Sequence, residues 1–323
     1  MADWVPPLPA GYNDANRVFL QALMARGSLT FSEARSIIAR VRSVAEGGDG
    51  FVDDHLVTLE DIADYVRSAR EAVEALDFDI RVTRHQAQND GERVWVFTNT
   101  NSDPPTQLAT TRSPEEVAYI KRLLDAMFAE YNTPRMEVMA VDEAQALKVS
   151  RPPRSRESNA NSQANSKASA STDKGLKHSE VISLLSSLVA EGWLDRSHAK
   201  FYSLSPRALV ELWSWLTETF NDPDEDWQQI KFCEACKEIV TYGQRCTERD
   251  CQVRLHDICE AGFWRTQPAK KCPKCETPWD GNHFVGERAV TSRRAERQAE
   301  RGRRSGGGSR RNREDDDEEP EEE

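Results

Sequence analysis

The chain has 323 residues, 38% hydrophobic and 30% charged, which leaves room for two or three modest cores with unstructured segments between them. Its net charge of −12 comes mostly from nine acids within the last ten residues; without them the chain is close to neutral, about −3, so overall charge argues neither for nor against a nucleic-acid partner. Met1-Ala2-Asp3-Trp4 lacks the basic start and apolar stretch of a signal peptide, and no run of 18 or more apolar residues exists, so neither secretion nor a membrane span is expected.

In chain order, the spacing of apolar residues predicts a first helix carrying Phe19, Leu20, Leu23 and Met24 and ending at Gly27. Thr30-Phe31-Ser32-Glu33 is a capping box, opening a second helix with Ala34, Ile37, Ile38 and Val41 inward. A third is expected from near Thr58 to Leu76, burying Ile62, Val66, Ala69, Val73 and Leu76. The period then changes to two: Phe78, Ile80 and Val82 alternate, Asn89-Asp90-Gly91 marks a turn, and Val94-Trp95-Val96-Phe97 returns. Three helices and a hairpin make a winged-helix unit. A helix over Pro114–Tyr131 is expected to close it, giving a first domain over 13–135.

The order then recurs over 136–226. Helices are expected at about Glu137–Leu147 and Ser179–Glu191, then a short wing with its tip at Asp195–Lys200. A last helix, opened by Ser205-Pro206, carries Leu209, Leu212, Trp213, Leu216 and Phe220. Residues 149–175 are rich in Ser, Asn and Arg and have no large apolar residue after Val149, so they read as a disordered insertion. The end, 286–323, reads as a disordered tail, basic at Arg293-Arg294, Arg303-Arg304 and Arg310-Arg311 and then acidic. The candidate recognition helix Ser179–Glu191 carries no Lys or Arg, and 58–76 mixes acids with arginines, so protein docking is favoured over direct DNA contact.

All seven cysteines lie between Cys233 and Cys275, with His256 among them. An odd thiol count in a chain without a signal peptide points to metal rather than disulfides, and eight ligands suit two tetrahedral zinc ions. Zinc contributes roughly 10–16 kcal/mol of apparent folding free energy in small modules, which a stretch this poor in apolar residues needs. Cross-braced pairing assigns Cys233, Cys236, His256 and Cys259 to one ion and Cys246, Cys251, Cys272 and Cys275 to the other. The ligand order suits both a variant RING and a PHD finger over 228–285. A PHD finger usually places an aromatic where this chain has Lys270, whereas Cys272-Pro273-Lys274-Cys275, Phe263 and Trp264 resemble a RING.

Asn16-Arg17-Val18-Phe19-Leu20-Gln21-Ala22-Leu23-Met24, Leu204-Ser205-Pro206-Arg207-Ala208-Leu209 and the full ligand set with Trp279 nearby carry a wider likeness. With them the chain resembles the non-structural maintenance of chromosomes element 1 family over about residues 13–285. The resemblance implies a mainly α fold with small β wings: tandem winged helices followed by a two-zinc, cross-braced RING-like domain. It also implies a nuclear, chromatin-associated subunit of the structural-maintenance-of-chromosomes five–six complex, acting in DNA repair and recombination as a RING-type ubiquitin ligase. Its implied partners are a MAGE-type winged-helix subunit, a kleisin, the five–six heterodimer and a ubiquitin-charged E2, with DNA reached indirectly through the complex. Ala235, Trp264, Pro273 and Glu276 occupy the E2-contact positions. Ala235 is smaller, and Glu276 of opposite charge, than an active RING usually carries there. A weak or partner-dependent ligase and a non-catalytic zinc docking module are therefore both compatible with these residues, with a PHD-like histone-tail reader as the third reading.

Overall fold

The computed structural model describes residues 8–45, 53–87, 91–101, 111–152 and 173–292. The first unit contains α1 (Asp14–Arg26), β1 (Ser28–Thr30), α2 (Phe31–Ala45), α3 (Leu59–Glu74), β2 (Phe78–Arg84) and β3 (Arg93–Asn99). Local chemistry sets the helix ends. Asn13 caps α1 through its side chain, and Gly27 closes it in the left-handed region at φ 74°. At the start of α2 the amide of Thr30 donates to the Glu33 carboxylate at 2.9 Å, and the Glu33 amide donates to Thr30 Oγ1 at 3.3 Å. That is the reciprocal pair the sequence implied.

Four of the residues expected on apolar faces are exposed: Met24 at 51%, Trp213 at 39%, Leu76 and Val82. Helix α3 ends at Glu74, and Asp77, at φ 60°, turns the chain away, which leaves Leu76 58% exposed. Val82 is 50% exposed although Ile80 is fully buried. The hairpin pairs Val82 with Trp95, and β1 adds a third strand that patterning over three residues did not reveal, Leu29 opposite Trp95.

The second unit contains α4 (Pro114–Asp125), which runs into a π-helical turn at Ala126–Glu130, then β4 (Asn132–Thr133), β5 (Met136–Glu137), β6 (Val141–Asp142), α5 (Glu143–Lys148) and α6 (His178–Ala190). It ends with β7 (Leu194–Arg196), β8 (Phe201–Leu204), α7 (Pro206–Glu211) and α8 (Trp213–Phe220). The sheets run β1-β3-β2 and β6-β8-β7, so each unit is helix, short strand, two helices and a hairpin. This symmetry makes α4 the opening helix of the second unit, not the closing helix of the first. Tyr119, Ile120, Leu123 and Leu124 pack with Val181, Leu185 and Leu209, whereas the first unit's core is built only from residues between Phe19 and Phe97. The boundary therefore falls before Pro114, earlier than residue 135.

Residues 137–142, expected to be helical, are not: Glu137 and Val141–Asp142 lie in short strands, and Met139 between them takes a left-handed φ of 44°. Val138 to Val141 are all buried, and only at Asp142 does a capping box with Gln145 start a helix. A continuous apolar run has no period that separates helix from strand. The last helix is broken at Leu212 into α7 and α8.

Both ends of the insertion are structured. Arg122 donates to the carbonyls of Val149 and Ser150 and pairs with Asp173, and Leu176 N–H donates to Ser150 O at 2.9 Å. Residues 153–172 lie outside the described residues. The tail begins later than expected: 288–292 form a helical turn with Ala289 buried, and the arginine pairs and acidic run lie beyond the described residues. No helix among the described residues is long and apolar enough to cross a membrane.

Candidate metal centre

The zinc module is built on β9 (Gly243–Arg245), β10 (Arg254–Leu255), α9 (Asp257–Thr266) and β11 (Phe284–Val285), the strands ordered β10-β9-β11. Two knuckles of the same design carry four of the ligands. In the first, Lys237 N–H donates to Cys233 O at 2.9 Å and Cys233 N–H to Glu238 O at 2.8 Å; in the second, Glu276 donates to Cys272 O at 2.9 Å and Cys272 to Thr277 O at 2.9 Å. Each turn closes through a left-handed residue, Lys237 at φ 63° and Glu276 at φ 58°. Such a turn aims both of its sulfurs at one point.

The ligand atoms gather into the two expected sets, Cys233, Cys236, His256 and Cys259, and Cys246, Cys251, Cys272 and Cys275, the atoms of each within 4.8 Å of one another. Zinc–sulfur bonds of about 2.3 Å require tetrahedron edges of about 3.8 Å. The separations fit: Cys246 Sγ–Cys275 Sγ is 3.4 Å, Cys251 Sγ–Cys272 Sγ 3.5 Å and Cys259 Sγ–His256 Nδ1 3.9 Å. In the first set the Cys233 thiol is held below its ordinary range, chiefly by hydrogen bonding from Cys236, while the same crowding pushes Cys259 up. Sulfurs so close share protons poorly, and a dication relieves the crowding. The donor sets therefore fit two zinc ions, each with four protein ligands and no open position, so zinc here holds the fold rather than activating water.

The surrounding shell orients the histidine. His256 Nε2 donates to Ile239 O at 3.1 Å, which leaves Nδ1 free to bind metal. The same carbonyl accepts from Gln86 Nε2 at 2.8 Å, and Gln86 Oε1 receives the amides of Thr241 at 3.0 Å and Tyr242 at 3.2 Å. Gln86 belongs to the wing of the first unit, so that wing is fastened to the loop bracing the first zinc site. His85 beside it faces Asp195 of the second wing at 3.1 Å. Gln244 joins β9 to α9 and Trp279, donating to Glu260 at 2.7 Å and accepting from the Trp279 indole at 2.9 Å.

A buried ion cluster ties the module to the second unit. Glu137, 1% exposed, pairs through Oε1 with Arg245 at 3.0 Å and Lys231 at 3.5 Å, and with Arg254, whose Nε lies 2.7 Å from Oε2. Burial alone would raise the Glu137 carboxyl, but hydrogen bonding by Arg254 and three positive neighbours hold it below the usual range. Burial pushes the Lys231 ammonium down to about 8. Sequence patterning missed Glu137, Arg254 and Gln86. A trace was present, since Glu137 is the only acid in Met136–Val141 and Arg254 lies between Val253 and Leu255.

Of the four expected E2-contact residues, Ala235, Pro273 and Glu276 are exposed. Trp264 is not: it is 6% exposed, its ring packed 5.6 Å from that of Trp279. It serves the core of the module.

Comparison with known proteins agrees with this architecture. Residues 16–212 match the family model described as the Nse1 non-SMC component of SMC5-6 complex, and 233–275 match a RING-like domain model. The human non-structural maintenance of chromosomes element 1 homolog is 22% identical over 266 residues, covering 82% of this chain and 84% of that protein. Non-structural maintenance of chromosomes element 1 of Schizosaccharomyces pombe is 24% identical over 280 residues, covering 85% and 96%. A solved chain of an Nse1-Nse3-Nse4 complex superposes with a TM-score of 0.61 at 19% identity, covering 84% of this chain and 99% of that one, a likeness of fold.

Proposed function

The chain belongs to the Nse1 family of non-SMC components of the SMC5-6 complex, and from that premise we propose that it is the RING-type ubiquitin-ligase subunit of that complex, acting in DNA repair and recombination in the nucleus. The observation that carries the ligase reading is the pair of closed zinc sites in a RING-like domain, with Ala235, Pro273 and Glu276 on its surface. A RING forms no covalent intermediate; it binds a charged E2 and restrains the thioester, so its contribution is orientation. Ala235 offers an E2 loop little apolar surface, and the Glu276 carboxylate cannot donate a hydrogen bond at neutral pH. Activity alone is therefore weak and rises with partners that brace the module.

The partners are a MAGE-type winged-helix subunit and a kleisin, together with the five–six heterodimer. Support comes from the fold likeness to a chain of an Nse1-Nse3-Nse4 complex and from apolar residues left exposed on α1, Val18 at 47% and Met24 at 51%. The arginines of α3 are occupied internally, Arg67 by Asp64 and Arg70 by Asp79 at 2.9 Å, so DNA is reached through the complex.

A non-catalytic docking role has its own support. Trp264 is buried, Glu276 has the opposite charge to that expected, and the module shares a continuous core with the second winged helix. The histone-tail reading keeps no supporting observation, since the aromatic position is Lys270 and the matched domain model is RING-like. Discharge of ubiquitin from a charged E2 decides between ligase and scaffold. With native partners present, wild type should discharge, Glu276→Arg should do so faster because a guanidinium restores donors, and Cys233→Ser should not. Rates equal to a protein-free control in every case leave only the scaffold.

A further inference from the structure

The buried cluster at the seam between the second winged helix and the zinc module brings three cations together. Among the described residues, Glu137 is the single carboxylate paired with Lys231, Arg245 and Arg254, all at least nine-tenths buried. One carboxylate faces three cations, and the adjacent second zinc site, four thiolates around a dication, supplies further negative charge beside Arg245.

On the Arg245 side this cluster opens onto a cavity of about 360 Å³. Arg135, Arg245, Arg249, His283 and Arg288 line it, drawn from four separate stretches of chain, and no acidic side chain among the described residues does. Arg288 is matched by Asp257, and His283 lies 3.5 Å from Asp280. Arg249 is different. Its guanidinium has no carboxylate partner among the described residues, and its charge acts on Arg245, a like-charged neighbour. Thr247, Asn282 and Ser292 add polar groups to the wall. Arginines converging on a small concave site, with hydroxyl and amide groups beside them, make a receptor for a tetrahedral oxyanion, because each planar guanidinium can offer two parallel N–H groups.

We propose that this seam cavity is a binding site for a single phosphoryl group, free or carried on a phosphorylated side chain. The small concave shape suits one phosphoryl group rather than a run of duplex phosphates. Occupancy would then strengthen the seam, since the ligand bridges Arg135 of the second unit and Arg249 of the zinc module.

The test uses the full, zinc-loaded chain at constant ionic strength, with inorganic phosphate and O-phosphoserine as probes, read by calorimetry and thermal melting. Saturable binding of both probes with a raised melting temperature is expected. Arg249→Glu should weaken it at least tenfold; Arg249→Ala should weaken it less, and Arg67→Glu, the same charge change on α3, should leave it intact. Two zinc ions per chain in each variant confirm that the module is folded. The proposal is overturned if chloride reproduces the stabilisation, or if Arg67→Glu weakens binding as much as Arg249→Glu. It is also overturned if duplex DNA binds in an Arg249-dependent way while O-phosphoserine does not, since the face is then a nucleic-acid contact.

Discussion

Glu137 shows how much can rest on one side chain. Replacing it with glutamine removes the only carboxylate, among the described residues, that pairs with these three cations. Breaking a buried pair in this way costs about 3–5 kcal/mol, because the partners remain buried and charged. Chemical denaturation of Glu137→Gln should show a loss of that order, and a loss below about 1 kcal/mol would mean that the cluster is solvated in solution. Lys231→Met should be far milder, since Glu137 keeps both of its arginine partners. Gly243 is another fixed point. At φ 155° a Cβ would lie 2.2 Å from Leu255 O, so Gly243→Ala should disrupt the β9–β10 pairing and lower zinc content.

Among elements, the first wing behaves as a strut. Gln86 shares the Ile239 carbonyl with the ligand His256 and holds the amides of Thr241 and Tyr242. Gln86→Ala should therefore speed chelator-driven zinc loss from the first site several-fold and leave the second site unchanged. Release kinetics with two separable phases would report this, and a rate unchanged at the first site would remove the strut. The insertion behaves in the opposite way. Its ends are pinned through Arg122, Ser150 and Asp173, so replacing 153–172 with a short Gly/Ser link should barely change stability. Arg122→Ala should lower it, because the clamp and not the intervening chain joins α4 to α6.

For the whole molecule, two cores predict two fates on metal removal. One core lies within the first winged helix, and the other runs from Tyr119 of α4 through Leu185 and Leu216 to Cys233, Trp264 and Val285. Stripping zinc, or Cys272→Ser, should therefore lower amide-exchange protection in α6 and α8 as well as in the module, and leave α1 and α2 protected. Loss confined to 233–275 would show that the second unit's core stands without the module.

Much of this was legible in the residues alone, for a physical reason. Capping boxes, helical spacing and ligand spacing are local, so Thr30 with Glu33, Ile62 through Val73, and all eight zinc ligands could be read without knowing what lay opposite them. Hence the two zinc sites and most helices followed from the amino-acid sequence. What tertiary structure decided lies wherever the partner is distant. The apolar run Val138–Val141 stayed out of the helix because Val141 pairs with Tyr202. The helix Pro114–Asp125 joined the second unit because its buried face meets Leu185 and Leu209. Trp264 turned inward onto Trp279, and Glu137 found its three cations between 94 and 117 residues away. Such pairings depend on which surfaces the chain brings together, and no periodicity in a single segment encodes them.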